Sequence, residues 1–249
     1  MIMSLPKLDV PYYEVVCPSG LKVSFRPFLV REEKLLMIAL QSNESTTILQ
    51  AAKQILENCV GKVSNIDIDK LPLFDVEFLF LNLRARSIGE ELALKYKCNQ
   101  QVLDANTGNT VVCNAVSEYP VDLLSIKPTF AEGHNKYIQL TDEVGVTLRY
   151  PTFKSFRSIA RKDLPAEDAF AFLVECIESI NNSQEIVMTK DVPASEVAEF
   201  VDDLSKKQVD KMDAFFDTMP KIEKVIQFKC PKCRYEEEIK VKGLDNFFV

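Results

Sequence analysis

The sequence predicts an α+β protein: helical blocks with β-hairpins, and a zinc-ribbon-like element joining the middle of the chain to its C-terminus. Three observations predict it. Apolar residues alternate with period two near the start, centre and end of the chain, and repeat at helical spacing in between. Four cysteines, Cys98, Cys113, Cys230 and Cys233, sit in pairs between such alternating segments. The chain has 249 residues and is 47% hydrophobic, enough for one large domain or two small ones.

Tyr12 to Cys17 and Leu21 to Phe25 flank Pro18-Ser19-Gly20 and predict a hairpin turning at Ser19-Gly20. Arg31 to Gln41 predicts a helix with Leu35, Leu36, Ala39 and Leu40 on its apolar face. Ser45 to Val60 predicts a second, with Ile48, Ala52, Ile55 and Cys59 in register. A third runs from Phe74 to Ser87, striped by Phe74, Phe78, Leu81 and Ala85, with Gly89 as its stop. Strands are then expected over Glu91 to Cys98, Thr110 to Cys113 and Glu118 to Leu123, with the turn-rich insert Asp104 to Asn109 among them. Tyr137 to Leu140 and Val146 to Tyr150 predict a second hairpin.

A second helical block is expected from Thr152 to Met219. Pro165 suits the first turn of a helix carrying Ala169, Leu173, Cys176, Ile177 and Ile180. Val197, Phe200, Val201 and Leu204 mark another helix. Ser205 with Gln208 forms a capping box for the next, which carries Val209, Met212, Phe216 and Met219 and stops at Pro220. Two strands close the chain, Val225 to Phe228 and Tyr235 to Val241. Three regions follow: 1–90, hairpin plus helices; 91–125 with 221–249, the ribbon-like β element; and 126–220, the second hairpin and helical block.

Leu94-Lys95-Tyr96-Lys97-Cys98 echoes Ile226-Gln227-Phe228-Lys229-Cys230. Both units read strand, cysteine, cysteine, strand, as two hairpins facing one ion would. A structural Zn2+ takes four thiolates in a tetrahedron, and Cys98, Cys113, Cys230 and Cys233 are the candidate ligands. The hydrophilic insert between Cys98 and Cys113 can loop out and leave both at a hairpin base. The plainer alternative is a metal-free ribbon with reduced thiols. A redox pair at Cys230 and Cys233 would need a helix N-terminus to lower the thiol pKa, and the following residues look like a strand.

Cys17, Cys59 and Cys176 fall on apolar positions and read as core thiols. The single histidine, His134, lies in a loop and is expected to be solvated, with a metal-ligand role as a lesser alternative. No phosphate-binding loop, nucleophile elbow or metalloprotease helix is present, so no catalytic residue is assigned. Glu90-Glu91 and Asp202-Asp203 read as solvent-facing, and Arg84-Ala85-Arg86 as cations favoured at a helix C-terminus. Leu244 to Val249 is apolar and would pack on the ribbon or enter a partner. Net charge −7 disfavours a broad nucleic-acid surface, and no apolar run is long enough to span a bilayer. The N-terminus lacks signal-peptide features, and seven cysteines fit a reducing cytosol.

Two stretches stand out: Pro11 to Leu36, which includes Tyr12-Tyr13-Glu14-Val15-Val16-Cys17-Pro18-Ser19-Gly20, and Phe74-Asp75-Val76-Glu77-Phe78-Leu79-Phe80-Leu81-Asn82-Leu83-Arg84-Ala85-Arg86-Ser87-Ile88-Gly89-Glu90. Together they resemble the baseplate hub protein family of T-even-type tailed phages, which includes a hub subunit and a related hub assembly factor. Leu148-Arg149-Tyr150-Pro151 and the terminal cysteine ribbon fit the same pattern, so the resemblance covers most of the chain. The insert between Cys98 and Cys113 departs from it. The resemblance implies a non-enzymatic structural or assembly protein of the contractile-tail baseplate central hub. Other hub proteins would be its partners, with self-association open, no membrane, and nucleic acid disfavoured. It would work in the host cytoplasm during assembly, or stay in the virion tail baseplate. Two rivals stand beside it: a zinc-ribbon nucleic-acid or transcription adaptor, and a thiol oxidoreductase using Cys230 and Cys233.

Overall fold

The computed structural model describes residues 9–42, 44–103, 108–159, 166–182 and 184–242. β1 (Tyr13–Val16) and β2 (Lys22–Phe25) form the expected hairpin, Tyr13 opposite Phe25. Gly20 turns it at φ +90, a left-handed value that a Cβ would disfavour. Ser19 in that turn is stapled to the first turn of the third helix: its N–H donates to Asp75 Oδ1 at 3.1 Å, and its hydroxyl bonds Oδ2. Asp75 is fully buried, and burial outweighs these bonds to push its pKa up.

Helices α1 (Val30–Gln41), α2 (Ser45–Ser64) and α3 (Leu73–Ser87) follow as the periodicity predicts. Glu32 locks the start of α1. It accepts from the Leu29 N–H at 2.9 Å, from Arg31 Nε at 2.7 Å and from Arg26 Nη2 at 3.1 Å. Arg26 also donates to the Asn58 carbonyl of α2 at 3.2 Å. Burial alone would raise the Glu32 pKa, but the bonds from Arg26, Arg31 and Leu29 outweigh it and hold the carboxyl at about 2.

α3 is covered on two sides, so apolar residues lie on more than one of its faces. Val76, Leu79, Phe80 and Leu83 join the β1–β2 hairpin, α1 and α2 in a first core. The predicted stripe of Phe74, Leu81 and Ala85 faces a second core, with Phe78 at its margin. Arg84 and Arg86 fall in the last turn of α3, as read, but Arg84 is buried. It is 7% exposed, and its Nε and Nη1 have no hydrogen-bond partner among the described residues. Arg86 does reach solvent, pairing with Glu90 at 2.6 Å.

The second core takes Leu92 from β3 (Glu91–Lys97) and Val121 from β6 (Val116–Asp122). Between these strands lie β4 (Gln101–Leu103) and β5 (Thr110–Val112), an antiparallel pair. β3 and β6 pair from Glu91↔Asp122 to Lys97↔Val116. The long strand β12 (Lys221–Lys229) adds Ile222 to this core and pairs there with β7 (Pro128–Thr129).

The third core holds a four-stranded antiparallel sheet, in order β11 (Ile186–Met188), β10 (Ile177–Asn181), β9 (Gly145–Leu148) and β8 (Tyr137–Gln139). β8 (Tyr137–Gln139) and β9 (Gly145–Leu148) are the predicted second hairpin. α4 (Phe153–Ile159) and α5 (Ala166–Cys176) follow. The helix expected to continue through Ile177 and Ile180 ends at Cys176. β10 (Ile177–Asn181) begins at once, pairing with β9 and with β11 (Ile186–Met188). The three-residue spacing of Ile177 and Ile180 mimics a helix, but the register of β10 on β9 shifts between Ile177 and Ser179, as a bulged strand allows. Pro165, placed at the start of that helix, lies outside the described residues.

α6 (Ala194–Asp202) and α7 (Lys206–Thr218) cover the sheet with Val197, Val201, Met212 and Phe215. The Ser205 N–H donates to Gln208 Oε1 at 2.7 Å, as the capping pattern predicts. His134 is half-buried and packed rather than freely solvated. Its Nδ1 lies 2.9 Å from Thr218 Oγ1, whose hydroxyl donates to the Ala214 carbonyl at 2.8 Å. Nδ1 therefore carries the proton, and Nε2 accepts from the Tyr150 hydroxyl at 3.0 Å. Burial, then the nearby Lys136 charge, lowers its pKa. The chain closes with β12 (Lys221–Lys229) and β13 (Glu236–Lys242), paired antiparallel. Leu244 to Val249 lies outside the described residues. Among those described, no helix is long and apolar enough to cross a membrane.

Candidate metal centre

Two strand pairs converge on one point. β3 and β12, the halves of the sequence echo, run into Cys98 and Cys230 respectively. Cys113 follows β5 and faces back to the end of β3, because the insert folds away as the β4–β5 hairpin. At its root the Cys98 N–H donates to the Ala115 carbonyl at 2.8 Å and the Asn114 N–H to the Cys98 carbonyl at 3.0 Å. Asn114, at φ +55, makes the bend. On the other side Cys230-Pro231-Lys232-Cys233 forms a tight turn. The Cys230 N–H donates to the Tyr235 carbonyl at 2.8 Å, and Arg234, at φ +60, reverses the chain. The element is strand–turn–strand; the helix that would activate a redox pair at Cys230 is not there.

The four sulfurs lie within 4.8 Å of one another. Cys98 Sγ is 3.7 Å from Cys233 Sγ, and Cys113 Sγ is 3.7 Å from Cys230 Sγ. Four sulfurs at about 2.3 Å from one ion stand about 3.8 Å apart along the edges of a tetrahedron. The residues thus fit a tetrahedral metal ion, with a side chain from each strand pair on both observed edges. The Cys233 N–H donates to Cys230 Sγ at 3.5 Å. That bond, with one from the Lys232 amide, outweighs burial and lowers the Cys230 pKa to about 6. At Cys98 the Gln100 amide pulls downward, but burial and the bonds shared with the other thiols push the pKa to about 12. Metal ions bind the deprotonated thiolate, so an ion bound here would release protons.

An aromatic clasp supports the cluster. Phe228 packs its ring 4.4 Å from Tyr96 and 5.8 Å from Tyr119. The Tyr119 hydroxyl donates to the Lys229 carbonyl at 3.1 Å, and the Tyr96 hydroxyl bonds Glu237. Tyr96 and Phe228 each stand two residues before a cysteine, so the echo carried this signal although sequence reasoning assigned them no role. Cys17, Cys59 and Cys176 are isolated in the cores, and burial first of all raises each thiol to about 12. His134 takes no part in the cluster.

A family model described as T4 bacteriophage base plate protein matches residues 10–249. The chain belongs to that family. The match spans the first core, the inserted sheet-and-helix block and both halves of the sulfur cluster in this baseplate protein, so all of them fall within the family's extent. No curated protein and no solved structure matches the chain.

Proposed function

We propose that this baseplate protein is a non-enzymatic structural or assembly protein of the central hub of the contractile tail, working beside other hub proteins. The family match over residues 10–249 carries this reading. It acts in the host cytoplasm during assembly, whether or not it stays in the tail. Its 1–90 region, its ribbon of 91–125 with 221–249, and its 126–220 block serve as three parts of one scaffold. The rival nucleic-acid adaptor loses support from the net charge of −7 and from Glu236, Glu237 and Glu238 on the ribbon.

Within that role, Cys98, Cys113, Cys230 and Cys233 hold one structural Zn2+. The 3.7 Å sulfur separations support the assignment, as does an all-thiolate donor set, which favours zinc over oxygen-seeking ions. The ion would tie the two strand pairs together and supply folding free energy, with no open position for chemistry.

Affinity purification from infected cells tests the hub assignment. Co-purification with hub proteins is expected, and normal baseplates formed in the protein's absence would rule out an essential assembly role. Metal analysis tests the ion. One zinc per chain is expected, lost in Cys230→Ser, and chelation should lower the melting temperature. Substoichiometric zinc unchanged by Cys230→Ser would sink the assignment.

A further inference from the structure

Residues 98–117 carry one charged side chain, Asp104, in a chain of which 27% is charged. The described part of this stretch includes the β4–β5 hairpin, which projects from the root of the sulfur cluster. It is a two-stranded sheet, so no further strand pairs with either outer edge among the described residues. The Cys113 N–H donates to the Gln100 carbonyl at 2.8 Å. Bonded and non-bonded pairs alternate along an antiparallel ladder, so Val102–Val111 is the next bonded pair. Gln101 and Leu103 on one edge, and Thr110 and Val112 on the other, therefore turn their main-chain groups outward, the Val112 carbonyl accepting from Asn114 Nδ2 at 3.2 Å.

Side chains add to this. Val102 packs toward the cysteines, while Leu103 is 76% exposed, Val112 43% and Val116 59%. Proteins usually guard open edges with charge, proline or bulges. This chain does so on several other edges, where β3 carries Lys95 and Lys97, β6 carries Glu118 and Pro120, and β13 carries Glu236, Glu238 and Lys240, though not on the edge strands β8 and β11, which carry no charge or proline. β4 and β5 carry no such guard.

We propose that the β4–β5 hairpin adds to a sheet of another baseplate protein, pairing with an uncharged edge strand that presents apolar side chains at alternate positions. The outward main-chain groups call for a strand, and the neutral, β-branched side chains call for a neutral complement. With three residues in each strand, the contact falls well below the roughly 1,000 Å² that a stable pair needs on its own. That suits one contact among several in a large assembly better than a self-sufficient dimer of this chain. The sulfur cluster at the root fixes the hairpin's direction. The inference rests on membership of the baseplate family, and on neither the hub assignment nor the ion.

A photo-crosslinking amino acid placed at Leu103 or Val112 of the full chain, in infected cells, tests it. Ile186, 68% exposed on β11, is the control position. Cross-links from both hairpin positions should map by mass spectrometry to one strand edge of one other baseplate protein, and the control should not reach it. The Leu103→Lys, Val112→Lys double variant should reduce assembled baseplates at least tenfold in sedimentation of infected-cell extracts. The purified variant should keep its circular dichroism and its metal content, which separates failure of docking from failure of the cluster. Cross-links to a second copy of this chain, scattered or absent cross-links, or normal assembly of the double variant would overturn the proposal.

Discussion

Phe228 is 1% exposed and stands between Tyr96 and Tyr119, with ring centroids 4.4 and 5.8 Å away. It is the apolar link from β12 to the β3–β6 pair beside the cysteines. Phe228→Ala removes a buried ring and leaves a cavity, a change that costs about 3–5 kcal/mol in protein cores. Tyr96 and Tyr119 are partly exposed and can lean into the space, which sets the expectation at the lower end, about 3 kcal/mol. In a chain of this size each kcal/mol moves the melting temperature by about 2–4 °C, so the variant should melt roughly 6–12 °C lower. Phe228→Leu keeps most of the volume and should cost on the order of 1 kcal/mol. The Tyr96→Leu, Phe228→Leu double variant should show a coupling of about 0.5–1.5 kcal/mol, the share due to the ring pair. Calorimetry at saturating zinc and after chelation gives all three numbers with and without the ion. A loss below about 1 kcal/mol for Phe228→Ala under both conditions would refute the clasp.

Three further outcomes follow from the buried polar groups. Glu32→Gln should cost about 3–5 kcal/mol at pH 7, because Arg26 is left buried beside a neutral group. The Glu32 pKa is lowered from 4.5 to about 2, so its contribution is complete above pH 4.5 and is lost as pH falls through about 2. The gap between wild type and variant in urea titrations should therefore close over that window, and a pH-independent gap would contradict the network. His134 has a lowered pKa, so its contribution holds above pH 6.5 and is lost as pH falls through the folded value. Its NMR titration midpoint should lie below 6.5 and His134→Gln should flatten the acid limb; a midpoint above 6.5 would contradict the packing. Asp75 has a raised pKa, so its contribution is complete below 3.8 and is lost as pH rises through the folded value. Asp75→Asn should thus be neutral or stabilising at pH 7, whereas Asp75→Ala strips Ser19 of its acceptor and should cost about 1–3 kcal/mol by chemical denaturation.

The first core was readable because its signals are local. Ile48, Ala52, Ile55 and Cys59 repeat at helical spacing, and all four are buried. The meeting of the four sulfurs was readable from the echo of Leu94 to Cys98 in Ile226 to Cys230. What the sequence concealed depends on distant chain. Ile177 and Ile180 fit a helix face as well as a bulged strand, and the choice is made by β9, some thirty residues earlier. The second face of α3 was hidden because Val76, Leu79, Phe80 and Leu83 lie beside the Phe74, Leu81 and Ala85 stripe and are buried by distant parts of the chain, α1, α2 and the β1–β2 hairpin. β4, at three residues, is too short for alternation to register. The packing of His134 is invisible locally because its partners, Tyr150 and Thr218, lie 16 and 84 positions away.

Those distances bear on how the ribbon is held. The sulfur pairs that face each other are separated by 135 and 117 residues along the chain. Closing a loop of that size costs more entropy than closing a short one, but each doubling adds only about 0.6 kcal/mol. From a fifteen-residue loop to one of this length is three doublings, about 2 kcal/mol in all. Burial of Ile222 and Val241 against α3 is of comparable or greater size, since a fully buried aliphatic side chain gives about 1.5–3 kcal/mol. The second core can therefore bring β12 to α3 without any ion. What it does not fix is the far end of β12, where the second core gives way to the small group around Phe228 and the cysteines. An ion there would act on orientation more than on closure. On this argument chelation should loosen the β4–β5 hairpin and the turn at Cys230 first. Hydrogen exchange should rise at Cys98, Asn114 and Cys230 while the amides of α3 stay protected. Uniform loss of protection across α3 and the ribbon would show instead that the ion and the second core form one cooperative unit.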